Sequence, residues 1–211
     1  MTRGLLVAAV IFGAAALWPA TPRAQAPAPA GDGPRYTNAG ELVRPPDYRE
    51  WVYLSTGLNM TYGANAPNPA RNQPFNNVFV NRSSYRQFLD SGRWPDQTIF
   101  ILEIRRSEEH VRPNAYGYTQ AAAVALEAAV KDSRNGAQPW AYYSFNGNGA
   151  PVAAAKPLPE SAGCQACHST HTAVEQTFVQ FYPTLFEVAK AKGTVKPTWS
   201  PLIEPQAAPT R

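Results

Sequence analysis

At 211 residues, 44% hydrophobic, 11% aromatic and 16% charged, the chain can bury one sizeable core and is too poor in charge for a coiled coil or an acidic solvating chain. Its formal charge is +4, and Arg3 and Arg23 lie in a stretch expected to be removed, so no electrostatic footprint for nucleic acid remains. The 21 prolines, about twice average usage, crowd towards the two ends.

Residues 1–26 read as a secretory signal peptide. Arg3 provides the positive start, Leu5 to Leu17 is apolar or small throughout, and Ala24-Gln25-Ala26 has the small-x-small cleavage pattern. The apolar stretch is too short for a spanning helix, and no later segment is apolar and long enough for one. The mature chain is therefore expected in the periplasm or outside the cell, free of the membrane. Residues 27–46 form a Pro/Gly-rich leader with little to pack, 47–193 a single globular domain, and 194–211 a Pro-rich extended tail.

Within the domain, Arg49 to Leu54 and Asn77 to Asn81 have the aromatic and β-branched content of short strands. Ser83 to Ser91 reads as a helix, with Tyr85, Phe88 and Leu89 at helical spacing, Ser83 or Ser84 as N-cap and Gly92 at the C-terminus. Ile99 to Ile104 is almost continuously apolar and suggests a strand covered on both faces. Ala121 to Lys131 carries two signals: its alanines favour helix, whereas Val124, Leu126, Ala128 and Val130 recur at period two. With turn-like residues from Asp132 to Pro139 and an aromatic strand from Trp140 to Phe145, an antiparallel pair of strands is the preferred reading. Thr172 to Lys190 places Val174, Phe178, Phe181, Leu185 and Val188 on one helical stripe, which Pro183 must kink or restart.

Cys164 and Cys167 are the two cysteines of the chain, and His168 follows directly. Cys-x-x-Cys-His is the covalent attachment site of a c-type haem. Two thiols three residues apart on a turn entering a helix reach the two vinyl groups of one porphyrin edge, and the adjacent imidazole swings under the ring to ligate the iron. A disulfide or a thioredoxin-like redox pair is the alternative, but a redox pair opens a helix after a strand, and this pair follows an Ala/Pro loop. One covalent haem c is thus expected, with His168 as the metal ligand. For the other face of the iron, His171 lies one turn along the same segment and cannot reach across the ring. Met60 and His110 are open alternatives with a structural or exposed reading favoured for each. The balance leans towards an open position, which takes small diatomic or nitrogenous ligands, over a filled one, which passes electrons.

Several stretches occur in one order: Tyr48-Arg49-Glu50-Trp51, Asn81 to Phe88, Trp94-Pro95-Asp96-Gln97-Thr98, Val130-Lys131-Asp132-Ser133, Trp140-Ala141-Tyr142-Tyr143, Cys164 to His168 and Phe178-Val179-Gln180-Phe181-Tyr182-Pro183. Over about residues 41 to 190 the chain resembles the cytochrome P-460 family, which includes the cytochromes c′-beta. The resemblance implies an α+β fold, a mainly antiparallel sheet with a few helices and the haem attached on a C-terminal helix. It further implies a five-coordinate iron in a capped pocket and a homodimer. The hydroxylamine-oxidising members carry a lysine cross-linked to the porphyrin. Its place is aligned here with Leu102, and no lysine occurs between Pro27 and Val130, so that cross-link cannot form. Gln97 stands where a glycine is common, a mild strain if its φ is positive.

On this resemblance Phe79, Phe100 and Leu102 are the candidates for the pocket over the iron. Glu103 and Glu127 are carboxylates near the sheet, either a proton relay if turned to the iron or, by preference, solvent-facing or paired with an arginine such as Arg105. Three functions are weighed. The first is a periplasmic cytochrome binding a small ligand such as nitric oxide. The second is an oxidoreductase acting on hydroxylamine or a related nitrogen compound and passing electrons to a periplasmic redox partner, so that enzymatic activity stays open. The third is an electron carrier.

Overall fold

The computed structural model describes residues 31–60 and 73–201. The signal peptide read at 1–26, the start of the leader and the last ten residues of the tail lie outside them. In chain order the elements are β1 (Leu42–Val43), β2 (Val52–Leu58), β3 (Phe75–Val80), α1 (Arg82–Ser91), β4 (Ile99–Glu109), β5 (Tyr118–Lys131), β6 (Trp140–Ser144), β7 (Ala154–Ala155), α2 (Cys164–His171) and α3 (Pro183–Ala191). Strands β2 to β6 form one antiparallel sheet in sequence order, and β1 pairs with β7 in a two-stranded sheet. The fold is α+β in one domain, as the sequence implied.

Each long strand has apolar residues in both parities, so the large sheet is covered on both sides. On one face Val80, Phe100, Trp140 and Tyr142 pack with Phe88 of α1 and Leu185 and Ala189 of α3. On the other, Ile99, Ile101, Leu126, Ala128, Val130 and Tyr143 pack with Leu42, Tyr48 and Trp51 from the N-terminal segment. The alternation in β5 prevails over the helix propensity of its alanines because ten of its residues pair with β4 and five with β6. The first half of β5 pairs with β4 across two irregularities, between Ile104 and Ser107.

Helix α1 starts at Arg82, with Asn81 as its N-cap and no side-chain capping bond from that residue. The expected serine caps are displaced: Ser83 donates its amide to Asp32 Oδ2 at 2.9 Å, so a carboxylate from the N-terminal segment does the capping. Gly92 closes the helix in the left-handed conformation, φ 70°, and a Cβ there would collide with Lys192 and Thr194. Gln97 does adopt positive φ, 65°.

Three boundaries differ from the sequence reading. The helix expected over Thr172 to Lys190 does restart at Pro183, the first residue of α3, but the stretch before it is not helical: α2 ends at His171, Val174 bridges Thr177 and a 3-10 turn covers Val179–Phe181. The leader is not idle, because Leu42 is fully buried and Tyr36 packs beside it. The start of the tail is docked too, with Val195 and Trp199 packed on the first face and Trp199 edge-on to Phe186 at 5.2 Å.

Candidate cofactor site

Gly163 turns the chain left-handed, φ 76°, and α2 begins at the next residue. Cys164, Cys167 and His168 then fall at i, i+3 and i+4, one side of the helix, and all three border a cavity of about 510 Å³. That volume is within the range of cofactor sites. Both cysteines are free thiols, and burial pushes both above the usual thiol value. A redox-active pair is served by a depressed thiol, and burial acts here in the opposite direction. Among the described residues no three His, Cys, Asp or Glu side chains gather as a metal cluster.

His168 is held from several directions. Its Nδ1 lies 2.8 Å from the Gln176 carbonyl oxygen and donates to it, while the rings of Tyr142 and Phe178 lie 4.6 and 4.7 Å away. Burial lowers its basicity, and the bond to Gln176 offsets that only in part, so the ring is neutral. With Nδ1 committed as donor, Nε2 keeps a lone pair for a metal.

The large sheet contributes Val78, Phe100, Leu102 and Ala129 to the cavity, and Phe181 and Tyr182 add further apolar wall. Phe100 and Leu102 therefore stand with Cys164, Cys167 and His168. Phe79 does not join them. It pairs with Ile101 and turns to the other face, where its ring meets Tyr48 and Tyr53, each at 5.6 Å. In β3, Phe-Asn-Asn-Val-Phe-Val, apolar side chains occupy both parities, and the pocket takes Val78 instead.

The two glutamates part company. Glu103 is buried on the second face among Arg49, Arg105, Tyr48 and Asn77. Burial would raise its carboxyl, but the bonds from Tyr48, Arg105 and Arg49 outweigh it and hold the group below its ordinary value. Glu127 pairs with Leu102 in register and borders the cavity. Burial alone raises its carboxyl, so the solvent-facing preference gives way to a pocket position. Met60 borders the cavity as well, its sulfur resting so close to Gly57 that a side chain there would collide with it. His110 is exposed beside Glu109, and His171 is exposed at the end of α2.

An apolar cavity, two reduced thiols and one neutral imidazole with a free nitrogen on the same helix face fit a covalently attached haem. Cys164 and Cys167 could carry the thioethers, and His168 Nε2 could bind the iron. The Gln176 carbonyl and the Tyr142 and Phe178 rings were missed as parts of the site. The rings lie within recognisable stretches, but a backbone acceptor leaves no trace in side-chain identity. A family model described as Cytochrome P460 matches residues 45–179, well over half of the chain. No curated protein matches it.

Proposed function

This chain belongs to the cytochrome P460 family, and on that footing we propose that it is an exported c-type cytochrome binding a small ligand such as nitric oxide on one covalently held haem. Haem binding follows from the family. The covalent link through Cys164 and Cys167, proximal ligation by His168, a periplasmic or secreted location, homodimer formation and the ligand itself are the parts we propose. The observation that carries the reading is His168, hydrogen-bonded through Nδ1 to Gln176 and left with one free nitrogen, on the same helix face as two reduced thiols beside an apolar cavity.

The haem, when bound, would supply an iron able to take a diatomic or small nitrogenous molecule. The chain's own residues set what reaches it. Val78, Phe100, Leu102 and Ala129 exclude water and disfavour charged ligands. Leu102 has no nucleophilic nitrogen, so it cannot make the lysine-type cross-link to the porphyrin.

One observation favours a second reading, oxidation of hydroxylamine or a similar compound with electrons passed to a periplasmic acceptor. Glu127 borders the cavity with its carboxyl raised by burial. It can take a proton from an N–H or O–H ligand and hand it on, a service nitric oxide does not require. Met60 at the same cavity is the feature on which an electron-carrier reading rests.

The test is the purified protein from a host with cytochrome maturation. Expected are one haem c per chain by pyridine haemochrome, its loss in the Cys164→Ser/Cys167→Ser double variant, and a high-spin ferrous form that takes up nitric oxide. Colourless wild-type protein would overturn the proposal outright. A low-spin ferric spectrum that changes in Met60→Leu would point to the carrier, and turnover of hydroxylamine with a redox dye to the enzyme.

A further inference from the structure

Lys131 is the last residue of β5, and its Nζ donates to the Trp94 carbonyl at 2.6 Å and to Glu175 Oε2 at 2.7 Å. The ion pair is largely shielded, with side-chain exposures of 19% and 17%. Glu175 has φ 49°, a left-handed conformation that a residue with a Cβ rarely adopts. The following residue, Gln176, presents the carbonyl to which His168 Nδ1 donates.

The rest of this short turn is also tied down. Thr177 returns its amide to Val174 and accepts from Trp94 Nε1 at 2.8 Å. The Gln176 side chain accepts from Gln165 of α2 at 2.9 Å, and the Glu175 carbonyl accepts from Thr172 Oγ1 at 3.0 Å. Lys196, in the same small hollow, turns its amine to Ser169 O and Thr172 Oγ1. The contact that reaches the Glu175 side chain across the fold, from a sheet strand, is therefore Lys131.

We infer that the Lys131–Glu175 ion pair is a positioning device for the proximal ligand: it holds the left-handed turn so that the Gln176 carbonyl stays on His168 Nδ1. The inference rests on the proposed role of His168 in binding haem iron. A carbonyl held on Nδ1–H makes an imidazole a stronger donor through its other nitrogen. Released from Lys131, Glu175 relaxes towards an ordinary φ, the carbonyl swings away and the ring donates less. Lys131 and Glu175 touch neither iron nor ligand, and act through the turn alone.

The experiment compares holoprotein of the wild type with Lys131→Met, Glu175→Gln, the double variant and Lys131→Arg. Haem content and thermal melting establish that each is folded and loaded. The iron–histidine stretching frequency of the ferrous form and the midpoint potential are then read. Expected are a lower stretching frequency and a more positive potential in both single variants, no further shift in the double variant, and recovery in Lys131→Arg. Unchanged frequency and potential in folded Lys131→Met and Glu175→Gln overturn the inference. Should neither fold, Lys131→Gln removes the charge that binds Glu175 while keeping a donor for the Trp94 carbonyl. A partial shift there supports the inference, and none overturns it. His168→Ala separates the two layers: a spectrum indifferent to His168 sinks both the proximal assignment and the device, whereas one dependent on His168 but not on Lys131 sinks the device alone.

Discussion

Glu103 and Glu127 sit on adjacent strands of the same sheet, at neighbouring register positions, and meet opposite fates. Glu103 points to the closed face and is gripped by two arginines, a tyrosine and an asparagine. Glu127 points to the face that carries the cavity, where its charge is felt by Cys164. A carboxylate buried for architecture is surrounded by donors. One half-buried beside a cavity is open to a ligand or a proton there.

The sharpest way to break this contrast is to remove the gripped member. Glu103→Leu strands the buried Tyr48 hydroxyl and the partly buried Arg105, whereas Arg49 turns to water, and is expected to cost about 3 kcal/mol in denaturant unfolding while leaving the haem spectrum unaltered. Ile101→Ala, on the same closed face and fully buried, is expected to cost about 2–5 kcal/mol with equally little effect on the spectrum. Leu102→Ala, one residue along but facing the cavity, is expected to cost only about 1 kcal/mol. Its main effect should be faster ligand entry and exit, measured by stopped flow with nitric oxide. Phe79→Ala serves as the control from the closed face: stability falls by less than the about 3–5 kcal/mol of a fully buried phenylalanine, and ligand kinetics do not move.

The smallest expected effect separates the glutamates by sign. The carboxyl of Glu127 is raised, so the stability it contributes is present below the ordinary carboxylate value and is lost as pH rises through its raised value. Glu127→Gln should gain stability, by less than about 1 kcal/mol, at neutral pH and change nothing in acid. Glu103 is lowered, so its contribution is present above the ordinary value and is lost as pH falls through its depressed one. Glu103→Gln should therefore flatten the acid side of a melting-temperature profile. Identical pH profiles for the two variants would show that the two faces do not differ in this way.

The parts of this molecule that were legible in the sequence are those with a short-range physical cause. Cys164, Cys167 and His168 are set by spacing along one helix, the Gly92 cap by a single left-handed residue, and β4 by a run of apolar residues that can only be covered twice. The strand nature of Val124 to Val130 was legible because period two survives alanine's preference for helix. Parity in β3 was not: Val78 and Phe79 are both apolar, and which of them faces the cavity is decided by pairing with β4. The breaks between α2 and α3 were hidden for a similar reason. An apolar stripe at helical spacing is also what a folded-back turn shows when both its arms pack on one core. Glu175 in particular looks like any solvent-exposed acid until Lys131, 44 positions earlier, is brought beside it.

The antiparallel pairing of Leu42 with Ala155 and Val43 with Ala154 stitches the N-terminal part of the described residues to the strand just ahead of the cysteine-bearing helix. A truncation at residue 47, where composition alone would trim the chain, removes half of that seam and also takes away Asp32 and Leu42, leaving Tyr48 and Trp51 as the cover on that face. The shortened protein should be sticky and prone to proteolysis, and an affinity tag is best joined upstream of Gly31.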